Sequence, residues 1–391
     1  MTLHYEFPCI AYWHTVAKYF EGNENFVIVD KEDYFVVNYI RAGKETHPPV
    51  DADEYRRATT LREARGLIFC SKTGVLLSRP FHKFFNLGER EDIVPDFSKP
   101  HHIIEKLDGS MIRPIPLPSG IRWGTKMGVT DVAMQAEEFV AKNMRYHAFA
   151  DACIGADITP IFEWISRQQR IVLDYPEDNL ILLAMRNNFD GTYISRQGLE
   201  AVAKLWHIPL VKVHSLCWSK DDPEEFKNFI RSMTGIEGFV IQFDDGHMVK
   251  MKTDEYVALH RAKSLLENER EVIGLILEEK TDDLLPLLPE SDRARLVQFE
   301  EDLWYDILTF QSTVNAVLRQ VDGLPRKEFA LSSESMETML RAAVFKHYDL
   351  GYCELKYILD TIQKHLGSNS SFAKIKGILK AASWKEIKTD E

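Results

Sequence analysis

The alternation of apolar and polar positions divides the chain into two textures. From Phe26 to Lys252, short runs rich in β-branched and aromatic residues are separated by glycine, asparagine and aspartate turns, the pattern of strands. Phe26–Val29 and Tyr34–Tyr39 read as strands around an acidic turn, and Arg65–Cys70 pairs with Val75–Ser78 over the turn Lys72-Thr73-Gly74. Tyr5 to Asn25 reads as weakly helical, and His47 to Arg62 as a loop rich in proline, aspartate and arginine. Ile103-Ile104-Glu105-Lys106 runs into the turn Leu107-Asp108-Gly109, followed by a hairpin of Met111–Arg113 and Gly120–Gly124 that leads to Lys126. Asp131 to Arg145 is an amphipathic helix with Asp131 as its expected N-cap. Strands follow at Ile161–Ile165, Ile171–Leu173 and Leu180–Ala184, then helices at Gln197–Trp206 and Pro223–Met233. Ile236–Ile241 and Met248–Lys252 close the β-rich part around Asp244-Asp245-Gly246. From about Ser264 the period changes. Leu265, Leu266, Ile273, Ile276 and Leu277 recur at helical spacing, with later breaks at Pro286 and Pro289, Gly323-Leu324-Pro325 and Gly367–Ser370. The predicted class is α+β: mainly antiparallel sheets with flanking helices over residues 1–262, then an all-α domain over 263–391.

Composition changes this picture little. With 391 residues, 45% hydrophobic and 28% charged, the chain has the balance of a soluble globular protein of two or three domains. No basic segment followed by an apolar run opens the sequence, and no stretch is apolar enough for a spanning helix, so a cytoplasmic protein is expected. Five scattered cysteines without a Cys-x-x-Cys point to a reducing compartment and away from a structural zinc. The net charge of −12 argues against wrapping nucleic acid non-specifically, so any such contact is local. One local excess exists: Arg341 to Lys388 carries nine Lys/Arg against four Asp/Glu.

The candidate chemistry gathers around Lys106. A strand delivers this lysine to a turn in which Gly109 is expected to take positive φ and let the backbone approach a phosphate. A lysine becomes a good nucleophile when burial or neighbouring cations lower its pKa. Lys250 and Lys252 lie two apart on a strand, so both leave one face, where they would repel each other unless an anion intervenes. Glu163 and Glu237 each interrupt an apolar strand, and a buried carboxylate must be ion-paired, hydrogen-bonded or bound to metal. Arg79 to Asn86 interleaves Arg79, His82 and Lys83 with Phe81, Phe84 and Phe85, which suits a phosphate-bearing aromatic base. Two of those three phenylalanines are expected in the core.

The order Lys-x-Asp-Gly, Phe-Glu-Trp, Glu-Gly-Phe-Val and Val-Lys-Met-Lys resembles the covalent nucleotidyltransferases, which include polynucleotide ligases and capping enzymes. Within them the chain is similar to the bacteriophage RNA ligase 1 family from roughly Tyr34 to Ala262. The similarity rests on Glu63-Ala64-Arg65-Gly66, Ser78 to Leu87, Gly124-Thr125-Lys126, Arg170 to Tyr175, Ile236 to Val240 and Lys250 to His260.

The resemblance implies a nucleotidyltransferase domain over 1–262, with 263–391 selecting the RNA. It implies Lys106 as the adenylated nucleophile, with Lys250, Lys252 and Glu237 in catalysis. Tyr39, Arg65, Lys83, Lys126, Glu163 and Tyr256 would join these four around ATP. Glu163, Asp282 and Asp283 would lie near Mg²⁺ (or Mn²⁺), although Thr281-Asp282-Asp283 also suits the start of a helix. The implied activity is ATP-dependent joining of RNA 5′-phosphate and 3′-hydroxyl ends in RNA repair. The substrate could be nicked tRNA, and the enzyme a monomer in the cytoplasm, the host's if phage-encoded. An inactive RNA-binding adaptor on the same scaffold, or a DNA ligase or capping-type enzyme, is the alternative. The second would carry an OB-fold after Lys252, where helical periods begin instead.

Overall fold

The structure, a computed structural model, describes residues 5–384 apart from 52, 168–170 and 217–222. Arg170, Cys217 and Lys388 therefore lie outside the described residues. The chain divides into two compact units, the first ending at Val257 and the second starting at Ala258. The division falls ahead of residue 262 because Ala262 already packs in the second unit's core.

Among the described residues, thirteen strands build the first unit: β1 (Phe26–Asp30), β2 (Tyr34–Tyr39), β3 (Arg65–Cys70), β4 (Leu76–Ser78), β5 (Phe85–Asn86), β6 (His101–Lys106), β7 (Ser110–Leu117), β8 (Gly120–Gly124), β9 (Ile158–Ile165), β10 (Asn179–Asn187), β11 (Val213–His214), β12 (Gly238–Phe243) and β13 (Met248–Lys252). They form three sheets, ordered β1-β2-β3-β4, β10-β9-β7-β8 and β11-β6-β12-β13-β5. All pairings are antiparallel except β13 with β5, a parallel pair that side-chain alternation does not foretell. The lysine turn carries the chain from β6 in the third sheet to β7 in the second. Two apolar clusters join those sheets. Ile104, Leu107, Ile165 and Val211 form one, and Phe81, Ile161, Ala184 and Met248 the other. The turn thus sits on a packed platform.

Several local expectations are corrected. The segment from Tyr5 to Asn25 holds only two 3₁₀ turns, Trp13–Thr15 and Ala17–Tyr19, with Val16 and Phe20 buried beneath β1–β4. Within the expected loop from His47 to Arg62, Tyr55–Leu61 is a helix. Thr130, not Asp131, caps the helix Asp131–Lys142, accepting from the Ala133 N–H, and a separate helix runs Arg145–Gly155. Ile171–Leu173 is not a strand. The Val172 and Leu173 N–H groups instead donate to the Asp108 carboxylate, a local side-chain alternative to a ladder.

The second unit is helical. Its axis is the helix Glu290–Gln320, which buries Leu296, Phe299, Leu303, Ile307, Val314 and Leu318 at intervals of three, four or seven residues, along one face. Fully burying one such side chain stabilises by about 1.5–3 kcal/mol. Asp306, on the same helix, accepts from the Ala381 and Ala382 N–H groups at 2.8 Å, so the buried carboxylate fixes the end of the described chain. Among the described residues, no helix is long and apolar enough to cross a membrane.

Candidate active site

The Lys106 turn is held by its aspartate. Asp108 Oδ2 accepts from the Val172 N–H (2.7 Å) and the Leu173 N–H (2.6 Å), while Oδ1 accepts from the Tyr256 hydroxyl at 2.6 Å. The Asp108 N–H donates to the Tyr175 hydroxyl at 2.8 Å. Burial raises both phenols, with the Asp108 carboxylate contributing, so they stay protonated. Asp108 and Tyr175 did not figure among the expected site residues. The acid in Lys-x-Asp-Gly was visible, but its partners lie far along the chain.

Gly109 departs from its expected role. Its φ is not in the left-handed region. A Cβ there would collide with the Trp164 carbonyl oxygen and come within 3.0 Å of Glu163 Cγ. Glycine at this position is thus a requirement of close packing of the turn on β9.

Glu237 ties the nucleophile candidate to the second lysine motif. Its Oε1 lies 2.7 Å from Lys106 Nζ and 3.1 Å from Lys252 Nζ. Sheet register explains the meeting: the next residue, Gly238, pairs with Lys106 on one side and Lys252 on the other. Gly238 has φ +145°, and a Cβ there would strike the Met251 carbonyl oxygen, so the close approach depends on glycine. Lys252 also lies over the Tyr256 ring, 4.7 Å from its centroid.

The amine of Lys250 is strongly affected by its surroundings. Burial, then Lys83, Arg65, Lys106 and Lys252, lower it to about 7. The two amines differ in their neighbours: Lys106 has the Glu237 carboxylate beside it, whereas Lys250 has cations. Glu163, by contrast, makes no ion pair within 4 Å among the described residues. Burial pushes its carboxyl up to about 8, with Lys106 and Arg65 opposing and Glu237 and Asp108 reinforcing the shift.

Of the interleaved cations and aromatics, Lys83, Phe84 and Phe85 form a second wall, whereas Arg79 is buried on Glu63 and His82 on Tyr193. Arg65 stands over Phe84 (5.6 Å to the centroid), and Lys250 approaches the same ring at 5.9 Å. Lys83 lies between Tyr39 (5.2 Å) and Phe85 (4.9 Å). Phe81 and Phe85 are buried and Phe84 half-buried, so two of the three serve the core. The main chain of Lys126 packs against Gly66, whose Cβ, if present, would collide with the Lys126 carbonyl oxygen.

Sequence reasoning missed Arg113. It is fully buried, donates to Ser78 Oγ (2.8 Å), to the Thr125 carbonyl (3.1 Å) and to the Gly66 carbonyl, and has no carboxylate partner within 4 Å among the described residues. Burial lowers its guanidinium to about 9. It clamps the residues next to Arg65 and Lys126. The one signal was an arginine at an inward position of an apolar strand.

Asp282 and Asp283 belong to the second unit, in the first turn of the short helix Thr281–Leu284, with Lys280 and not Thr281 at the cap position. Among the described residues, no group of three or more His, Cys, Asp or Glu is placed to hold a metal ion. Among the described residues beyond Lys252, the regular elements are all helical, without the strands of an OB-fold.

A family model described as RNA ligase matches residues 63–256. RNA ligase 1 of bacteriophage TS2126 is 29% identical over 289 residues, covering 68% of each chain. A protein of Thermovibrio ammonificans named "Putative RNA ligase" is 28% identical over 339 residues, 82% of this chain and 83% of its own. Two structures of an archaeal ATP-dependent RNA ligase align with TM-scores of 0.43 and 16% identity. One covers 65% of this chain and 64% of its own, the other 73% and 75%.

Proposed function

This chain belongs to the bacteriophage RNA ligase 1 family and is an ATP-dependent RNA ligase, and from that premise we propose that Lys106 is the residue that takes AMP from ATP. The observation that carries the reading is the shared carboxylate: Lys106 and Lys252 meet on one oxygen of Glu237. In the first step the Lys106 amine attacks the α-phosphorus of ATP. A P–N bond forms, the bond to the bridging oxygen breaks, and pyrophosphate leaves. The amine must shed its proton, and Glu237 Oε1, 2.7 Å away, is an acceptor within reach. Lys250 and Lys252 neutralise charge on the phosphates as it shifts to the leaving group. Arg65, Lys83 and Lys126 grip the triphosphate, Tyr39 stacks beside Lys83, and Tyr256 and Asp108 hold the turn in place.

AMP then passes to the 5′-phosphate of an RNA, and a 3′-hydroxyl displaces it to form the phosphodiester bond. The described side chains do not by themselves make a metal cage. Mg²⁺ (or Mn²⁺) would come with the nucleotide, keeping most of its water and taking one or two carboxylates; the candidate in the first unit is Glu163, and those in the second are Asp282 and Asp283. Residues 1–262 carry out adenylyl transfer as a monomer in the cytoplasm, and 263–391 favour broken tRNA. Incubation with α-labelled ATP tests the core of this reading. The expected result is a label that survives denaturation and is absent from Lys106→Ala; a wild-type protein that takes up no label would end it.

A further inference from the structure

Three of the residues assigned to the ATP pocket hang from one short segment. The Tyr39 N–H donates to the Ala64 carbonyl (3.0 Å), the Arg65 N–H to the Glu63 carbonyl (2.7 Å), and the Lys83 N–H to the Arg62 carbonyl (2.7 Å). The segment 62–64 therefore sets where these three side chains begin. What fixes it is the Glu63 carboxylate, completely buried between two completely buried arginines. Glu63 Oε2 accepts from Arg79 Nε at 3.0 Å and lies 2.8 Å from an Arg186 terminal nitrogen, while Oε1 accepts from the other at 2.9 Å.

The guanidinium groups spend their remaining donors on main chain. Arg79 donates to the Asn188, Phe189 and Pro8 carbonyls, and Arg186 to those of Pro80 and Gly191. Gly191, at φ +73°, leaves room for Arg79, because a Cβ there would run into the guanidinium. Such planar forks are directional, and every element they touch is held at a defined angle. Two arginines on one carboxylate make a poor choice for stability alone, since an apolar cluster of the same volume often does as well or better.

We propose that the Glu63–Arg79–Arg186 cluster is a positioning device for the triphosphate grip, acting in AMP transfer to Lys106 and not in sealing of an already adenylated RNA. The proposal rests on the ligase mechanism above. Its step selectivity follows from chemistry: a triphosphate is present only while the bond to pyrophosphate is broken. In the sealing step the 3′-hydroxyl loses its proton, attacks the activated 5′-phosphate and expels AMP, so no β- or γ-phosphate needs to be held.

The experiment uses the full-length protein with Arg79→Lys and Arg186→Lys, which keep the charge and remove the fork. Lys-AMP formation is followed against ATP concentration, and sealing is followed separately with chemically pre-adenylated RNA. The expected result is an ATP KM raised about 10- to 100-fold, the scale on which small misplacements act. Sealing should stay within about twofold of wild type, less than the loss that follows removal of a group acting in the transition state. Adding Arg79→Lys to Lys83→Ala should raise KM by less than the product of the two separate effects, because the first acts in part through the second. Equal losses in both steps, no loss in either, or collapse of both variants by circular dichroism would assign the cluster to stability and overturn the proposal. A wild-type protein without label would instead fail the ligase mechanism itself, whereas labelling insensitive to Arg79→Lys fails only the positioning role.

Discussion

At the scale of single residues, the site depends on which side chains carry charge at neutral pH. Lys106 is expected to be irreplaceable: Lys106→Ala removes the nucleophile, and Lys106→Arg keeps a cation that cannot usefully deprotonate. Neither variant should show AMP adduct on a denaturing gel, and wild-type labelling of either would transfer the nucleophile elsewhere. Lys250, lowered to about 7, is partly neutral in the free protein just above that pH. A triphosphate beside it favours the ammonium, so ATP binding at pH 7.5 should take up protons. Calorimetry in buffers of different ionisation enthalpy should detect the uptake in wild type and much less in Lys250→Met. Glu163 works in the opposite sense for stability. Between about 4.5 and about 8 the folded protein keeps a proton there that the unfolded chain has released. The unfolded state then binds fewer protons, so this contribution falls as pH rises through that window. Urea midpoints of wild type and Glu163→Gln should lie close at pH 5 and separate by pH 8 with the glutamine variant more stable; a gap independent of pH would remove Glu163 from this account.

At the scale of elements, the β6–β7 turn is where packing and chemistry meet. Gly109 lies against the Trp164 carbonyl of β9, so Gly109→Ala must push the turn off the second sheet while leaving the strands paired. A displacement of the order of 1 Å can cost about 100-fold in rate. Adduct formation should therefore fall at least that far with the circular dichroism spectrum unchanged; near-normal labelling would mean that the turn has slack. The parallel pairing of β5 with β13 has a related role. Phe85 and Asn86 pair with Val249 and Lys250, which sets the aromatic–cation segment beside the lysine pair.

At the scale of the molecule, the helical unit bears the local basic excess. Lys376 was an equal member of it on sequence grounds. In the structure both Glu269 oxygens lie 2.7–2.9 Å from its amine, whereas Lys374 and Lys380 are exposed and make no ion pair within 4 Å among the described residues. Lys374→Glu with Lys380→Glu is expected to weaken nicked-tRNA binding. The salt dependence should become shallower by about 0.9 in log–log slope for each phosphate that is no longer neutralised. Affinity and slope equal to wild type would make these lysines ordinary solvated surface.

What the sequence by itself determined was everything local in period or chemically unusual in kind. Strand and helix textures, the hairpins at Lys72-Thr73-Gly74 and Asp244-Asp245-Gly246, and the change to helices after Lys252 follow from side-chain alternation and turn residues, which act between near neighbours. The family resemblance likewise rested on residue types in a fixed order. Other features were decided only by tertiary structure. Glu237 serves two lysines because sheet order places Gly238 between Lys106 and Lys252. Ile171–Leu173 is not a strand because a distant aspartate takes its N–H groups. Gly109 is needed for contact with Trp164 and not for its φ. Arg113 and the Glu63 cluster belong with these, since a buried charge becomes intelligible only when the donors and acceptors around it are known. Periodicity reports which face of an element is buried, and long-range pairing alone reports what that face meets.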